Sequence, residues 1–232
     1  MKLITLACAL FMLPVFCTAQ ETENVKKNVD NGKVFFGISS GIDYYQNAYQ
    51  QTPTADYSFE DKGPRYNINL EAAYMVTDRL RPRIQFGFHR QAYRQNWLSA
   101  ATSSSSSMKY TDTHLNYLDI NLMADYLLIG LNSKFQTFIS TGIVTEYNTY
   151  HSFNTTKNDG ETTSTAFKEI GTHYPKCSAG WQSSLIFKYK VSDFIGITLS
   201  PGYNRYFRNY DEDNSGTYQR FNLNLGVEIG IN

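Results

Sequence analysis

Residues Phe221 to Ile231 read FNLNLGVEIGI, a strict alternation of apolar residues with small or polar ones. Successive side chains of a β-strand point to opposite faces of the sheet, so this stretch predicts a strand with one apolar and one polar face. It belongs to a predicted strand over residues 218–231. Seven further segments show the same alternation and are predicted as strands: 34–44, 66–76, 83–97, 113–128, 135–148, 177–191 and 194–207.

The connections between these strands alternate in length. The short ones are residues 77–82, 129–134 and 192–193, and the long, polar ones are residues 45–64, 98–112, 149–176 and 208–217. Strands with two unlike faces can span a membrane if the sheet closes, and short turns then gather on one side and long loops on the other. The pattern predicts an all-β fold, an eight-stranded antiparallel up-and-down transmembrane β-barrel.

The first residues have the features of an export signal. Lys2 precedes a largely apolar stretch, residues 3–16, and small residues follow at positions 17–19, the pattern that signal peptidase reads. No apolar run of about 18 residues follows, so strands rather than helices are expected to cross the membrane. We therefore divide the chain into a signal peptide (residues 1–19), a flexible periplasmic segment (20–33) and an outer-membrane barrel (34–232).

Charge and cysteine content exclude other classes. The chain has 21 basic and 21 acidic residues, and this lack of a basic excess argues against nucleic acid as a partner. Removal of the signal also removes Cys8 and Cys17, which leaves Cys177 as the single cysteine. One thiol cannot form an internal disulfide, so the sheet itself must provide the stability.

An eight-stranded barrel is only wide enough for its inward side chains or for one small ligand. Seven ionisable residues lie on the polar parity of the predicted strands: Glu71, His89, Asp119, Asp125, Lys188, Lys190 and Glu228. Buried charges persist when they have partners, so we expect a mainly structural, charge-paired network in the lumen. A proton or ion path is the alternative function for the same residues.

Catalytic and metal-binding patterns are weak. The histidines are His89, His114, His151 and His173, and no spacing fixes a nucleophile beside a base or resembles a metal site. Small barrels that modify lipid A do carry histidine, serine and acidic groups near the membrane. Asp112 and His114 therefore support an alternative, a lipid-modifying barrel enzyme. The prediction is a protein that is not an enzyme and that binds neither metal nor cofactor.

Alternation shows that the two faces differ but not which face lies inside. A soluble, lipocalin-like periplasmic carrier would hold Leu223, Leu225 and Val227 inward around a ligand and would expose Glu228 to water. Three features favour the membrane barrel instead. They are the export signal, the asymmetry of the loops and the charged residues on the polar face of the strands.

The stretch Asn116 to Tyr126, NYLDINLMADY, resembles the YLEIPLLLKY strand that is common in outer-membrane β-barrel proteins of Bacteroidetes. That family includes PorT-like proteins and is similar to small OmpA- or OmpX-type barrels. Its later strands resemble residues 135–147, 196–203 and 221–230. Asn121 stands where the family usually has proline, and the chain ends in Asn232 rather than an aromatic residue. The resemblance implies an outer-membrane barrel; some members are linked to type IX secretion, and no residue-level function carries over.

Taken with the loop pattern, these features predict a non-enzymatic protein of the bacterial outer membrane with a periplasmic N-terminus. The expected role is structural or interaction-mediating, through the extracellular loops or the periplasmic tail. The expected partners are outer-membrane lipid and another envelope protein.

Overall fold

A computed structural model describes residues 32–46, 57–61, 65–97, 108–131, 133–167, 177–207 and 219–231. They form ten strands: β1 Val34–Gln46, β2 Tyr57–Asp61, β3 Arg65–Tyr74, β4 Leu80–Trp97, β5 Met108–Ile129, β6 Phe135–Lys157, β7 Thr162–Phe167, β8 Cys177–Lys190, β9 Ile195–Tyr206 and β10 Gln219–Ile231. Within these ranges no helix has the length and apolar character needed to cross a membrane. The predicted signal peptide and the periplasmic segment up to residue 31 lie outside the described residues.

Eight strands form a closed antiparallel ring in the order β1, β3, β4, β5, β6, β8, β9, β10. The ring closes where β10 pairs with β1, from Val34 opposite Ile231 to Gln46 opposite Gln219. Each ring strand pairs with the ring strands that precede and follow it in the chain, which is the up-and-down arrangement. The predicted fold class is confirmed.

The apolar parity of the strands faces outward. In β10, Leu223, Leu225 and Val227 expose 43%, 61% and 43% of their surface, whereas Glu228 exposes 3%. We call the exposed apolar side chains around the ring the apolar belt. It includes Ile38, Ile68, Phe86, Phe88, Leu118, Ile120, Leu122, Ile143, Leu185, Ile197, Leu223, Leu225 and Val227. β10 therefore does not provide the inward apolar lining that a lipocalin-like carrier requires.

Strands β5 and β6 extend further than the sequence predicts. They pair as far as Met108 opposite Lys157, and the short strands β7 and β2 add to this end of the sheet by pairing with β6 and β4. The assignment of residues 57–61, 108–112, 149–157 and 162–167 to loops is wrong. These segments carry polar residues on both parities, so the hydrophobic alternation that identifies a half-buried strand does not reveal them.

Strand pairing is interrupted on one side of Pro201. Strand β9 pairs with β10 continuously through Pro201. Towards β8, pairs run to Ser184 opposite Gly202 and resume at Phe187 opposite Leu199 in the same register. Proline has no N–H to donate, so the ladder is interrupted here without a bulge.

Candidate functional site in the barrel lumen

Most of the buried charged residues in the described part of the lumen form two groups, with Asp43 and Arg65 outside both. We call the first the turn-side cluster, because it lies near the short turns. It consists of Glu71, Arg81, Arg83, Asp125, Ser140, Lys188 and Glu228. These residues come from six strands of the ring, and their inward parity brings the side chains together.

Arg81 bridges two carboxylates in this cluster. Its Nε and Nη2 donate to Oδ2 of Asp125 at 3.1 and 2.9 Å, and its Nη1 donates to Oε2 of Glu228 at 2.7 Å. The guanidinium carbon also lies 4.6 Å from the ring centroid of Phe138. Hydrogen bonds between ionised groups are stronger than neutral ones, so Arg81 ties β4 to β5 and β10 across the lumen.

Arg83 and Lys188 supply the other two positive charges of the turn-side cluster. Arg83 donates to Oε2 of Glu71 at 2.7 Å and to Oδ2 of Asp125 at 2.9 Å, and Lys188 donates to Glu228. The turn-side cluster thus holds three cations and three carboxylates. Burial of a charge is costly unless a partner compensates it, and this set is electrically neutral.

The second group is the loop-side cluster, defined as His89, Asp119, Glu146, Tyr206 and Arg220. Arg220 Nη2 donates to Oδ2 of Asp119 at 2.8 Å, and its Nη1 lies 3.3 Å from Oε1 of Glu146 and 2.7 Å from Nδ1 of His89. The Tyr206 hydroxyl donates to Glu146. All five side chains are buried, so Arg220 is the centre of a second ion-pair network.

Three members of the loop-side cluster have the chemistry of metal ligands. His89, Asp119 and Glu146 each place one ligand atom within 4.8 Å of the others. Arg220 contacts the same two carboxylates and the same imidazole, so a positive charge already occupies the space between them. A metal cation there would be repelled by the guanidinium. The geometry fits an arginine-centred ion pair better than a metal centre.

The structure brings six of the seven predicted lumen residues into these clusters. They are Glu71, Asp125, Lys188 and Glu228 in the turn-side cluster and His89 and Asp119 in the loop-side cluster. Lys190 is half-buried at the end of β8, and none of the contacts that define the clusters involves it. That the network serves a structural role stays a prediction.

The arginines at the centre of both clusters were not predicted from the sequence. Arg81 and Arg83 share the inward parity of His89, and Arg220 lies on the inward parity of β10. The prediction extends the preceding turn to residue 82, although β4 begins at Leu80. Parity along the predicted strands 83–97 and 218–231 already identifies Arg83 and Arg220, whereas Arg81 is identified only when parity is counted from the true start of β4.

The residues of the enzyme alternative lie outside the lumen, beyond the apolar belt. Asp112 accepts hydrogen bonds of 2.7 and 2.9 Å from Arg94. Nδ1 of His114 lies 3.2 Å from Nη2 of Arg90. These contacts are with arginines, and they do not build a nucleophile beside a base. His173 lies outside the described residues.

Comparisons with known proteins bear on the fold. The outer membrane protein OprG of Pseudomonas aeruginosa aligns with 87% of this chain and 96% of its own, at 13% identity and a TM-score of 0.51. Neisserial surface protein A aligns with 86% of this chain and 99% of its own, at 11% identity and a TM-score of 0.47. Ail of Yersinia pestis, the attachment invasion locus protein, aligns with 85% of this chain and 99% of its own, at 11% identity and a TM-score of 0.45.

The similarity to OprG supports the barrel fold and, at this identity, nothing beyond it. No protein-family model matches the chain, and no curated protein matches it.

Proposed function

We propose that this chain is a non-enzymatic β-barrel protein of a bacterial outer membrane, PorT-like and from a member of the Bacteroidetes, with a periplasmic N-terminus. Its role is structural or interaction-mediating at the cell surface, and its partners are outer-membrane lipid and another envelope protein. The observation that carries the proposal is the polarity of the barrel, with apolar side chains outside and charged side chains inside.

This polarity supports a membrane location. Soluble monomers rarely expose contiguous apolar patches of more than about 300 to 600 Å², whereas the apolar belt continues around all eight ring strands. In a bilayer the belt would contact acyl chains, and the closed ring would leave no unpaired strand edge in the hydrocarbon.

The packed lumen supports a structural rather than a conducting role. Arg81, Leu127 and Phe138 are each at most 2% exposed, and the Arg81 guanidinium is held by carboxylates from two other strands. Such side chains fill the interior of an eight-stranded barrel. We expect the purified protein to show no single-channel conductance in planar bilayers, and steady conductance would favour the ion-path alternative.

The interaction role rests on the strand extension, which we define as residues 108–116 of β5, residues 149–157 of β6 and strand β7. Nine residues of strand reach about 30 Å, so the extension projects beyond the belt. It is rich in threonine, asparagine and serine and forms a paired sheet rather than a free loop. A polar sheet at this position is a suitable surface for contact with another envelope component.

Envelope fractionation combined with gel mobility tests the location. The full chain, expressed in a Bacteroidetes host, should enter the outer-membrane fraction and should migrate differently in unboiled and boiled samples. A closed barrel that resists detergent gives this shift. Recovery from the soluble periplasm with the same mobility before and after boiling would contradict the proposal.

An epitope inserted between Asn158 and Asp159, in the turn from β6 to β7, tests the orientation. Antibody should label intact cells. The matched control is the same epitope between Ser192 and Asp193, in a short turn, which should be labelled only after permeabilisation. The reverse result would place the N-terminus outside the cell.

A photo-crosslinking residue at Thr163, which is exposed on β7, tests the interaction role. We expect it to capture an envelope protein in intact cells. The same residue at Asp193 should not capture that protein. Capture of nothing from Thr163 at full expression would contradict a partner at the strand extension.

A further inference from the structure

We propose that the outer wall of β4 and β5 carries a binding site for the phosphate head group of an anionic membrane lipid. The site is formed by Arg90, His114 and Asn116, at the edge of the apolar belt that faces the long loops. The inference rests on the membrane location proposed above but does not depend on a protein partner.

The position of the site follows from the register of the two strands. Phe88 and Leu118 are an opposed pair on the outer face, 44% and 48% exposed. Arg90 and Asn116 form the next outward pair. Two residues of strand correspond to about 7 Å. The Arg90 side chain therefore lies next to the edge of the apolar belt. Tyr66, 66% exposed on the neighbouring strand β3, lies at the same end of the belt, as expected of an interfacial aromatic residue.

The charge of Arg90 is not neutralised within the described part of the chain. Its Nη2 lies 3.2 Å from Nδ1 of His114, and none of the described carboxylates forms an ion pair with it. Arg94, four residues further along β4 on the same face, differs in this respect. Its guanidinium holds Asp112 through two hydrogen bonds and lies 3.7 Å from the ring centroid of Tyr110. Of these two neighbouring arginines, Arg90 is therefore the one available to an external anion.

The chemistry around Arg90 fits a phosphate. A guanidinium presents a planar set of N–H donors that matches phosphate oxygens, and the amide of Asn116 can supply a further donor from the opposed position. The contact with His114 restrains the guanidinium against the wall of the barrel. Directly beside it, Phe88 and Leu118 offer an apolar surface to an acyl chain.

A ligand that carries both a phosphate and acyl chains would satisfy both parts of this surface. A free phosphate ion would use only the polar part. We therefore assign the site to a lipid of the membrane leaflet on the long-loop side rather than to a soluble anion.

Native mass spectrometry of the full-chain barrel in detergent tests the assignment. The probes are dioleoyl phosphatidic acid and dioleoylglycerol, which share acyl chains and differ in the phosphate, and inorganic phosphate as the free anion. We expect the barrel to retain phosphatidic acid more strongly than diacylglycerol, and inorganic phosphate to compete poorly. Arg90→Gln should weaken phosphatidic acid binding by about fivefold, the factor that corresponds to about 1 kcal/mol per basic side chain at an anionic membrane surface.

The matched control is Arg205→Gln. Arg205 is exposed on β9, opposite Trp181 of β8, so this variant makes the same charge change on another part of the wall. It should leave phosphatidic acid binding unchanged. Equal losses in the two variants, no loss in Arg90→Gln, or full displacement by inorganic phosphate would overturn the assignment. If Arg90→Gln keeps the heat-dependent mobility shift and loses no lipid selectivity, the lipid site is refuted while the membrane barrel stands. Absence of the shift in the unmodified protein would remove the basis for both.

Discussion

Replacement of Glu228 by glutamine tests the turn-side cluster directly. Glu228 is 3% exposed, accepts a hydrogen bond from Arg81 at 2.7 Å and is the described carboxylate partner of Lys188. Glutamine has nearly the same shape but no charge. Arg81 would keep its contact with Asp125, whereas Lys188, 4% exposed, would remain buried without a carboxylate. The cluster would change from neutral to a net charge of one positive unit.

The size of the effect follows from that imbalance. Removal of one partner from a buried ion pair destabilises a protein by about 3 to 5 kcal/mol, because the other charge stays buried and uncompensated. Glutamine retains an amide oxygen that can accept one hydrogen bond, so we expect a value near the lower end, about 3 kcal/mol. The double variant Glu228→Gln with Lys188→Met removes both charges and should recover at least half of the loss.

Urea unfolding of the barrel in lipid vesicles measures these changes. The unfolding midpoint can be followed by gel mobility and by the fluorescence of the tryptophans, of which Trp181 lies on the outer wall. Glu161→Gln is the control, since it makes the same substitution in an exposed ion pair with Lys157, and it should leave the midpoint unchanged. Unfolding of Glu228→Gln at the same midpoint as the unmodified protein would refute this account of the cluster, as would a double variant less stable than Glu228→Gln alone.

Three further predictions concern packing, lipid contact and the loop-side cluster, each measured by the same unfolding assay. A Cβ at Gly142 would lie 2.0 Å from a neighbouring backbone carbonyl oxygen, so Gly142→Ala should destabilise the barrel by about 1 to 3 kcal/mol; a neutral effect would contradict the described close approach. Leu225→Arg places a charge in the apolar belt and should lower the free energy of unfolding by about 2 to 4 kcal/mol. Ile231→Arg, at the end of the strand, should lower it by only about 0 to 1 kcal/mol. Equal costs would argue against membrane insertion. Tyr206→Phe removes the hydroxyl that donates to Glu146 and should cost about 1.5 to 3 kcal/mol; a more stable variant would show that this hydrogen bond is not formed.

Strand identity could be predicted wherever one face of a strand is apolar. The alternation along β10 places Glu228 on the face opposite to Leu225 and Val227, because the side-chain period of a strand is two. The same rule failed at the ends of β5 and β6, where Thr111 and Asn154 lie among other polar residues. Hydrophobic periodicity carries no information where both faces of the sheet bear polar side chains, so those segments were predicted as loops.

The lumen could be predicted only in part. Asp119, Asp125 and Lys188 were predicted as inward, whereas the arginines that neutralise the two aspartates were not predicted. Arg220 is distant in sequence from Asp119, and their contact depends on the closure of the ring that places β10 and β5 on facing walls. Arg81 lies near the end of a strand. An error of two residues in the predicted strand boundary therefore moves it from the strand into the turn, and its inward position is not recognised.

The sequence by itself determined the eight strands of the ring, their two-faced character and the asymmetry of their connections, since all three depend on local spacing along the chain. Tertiary structure alone decided which face lies inside and how the charges are combined. The ring closes with the polar side chains on its concave side, so the apolar side chains of each strand face outward. Arg81 meets Asp125 and Glu228 only because three separate strands bring them to the same level of the lumen, and that arrangement depends on strand pairing between residues far apart in the sequence.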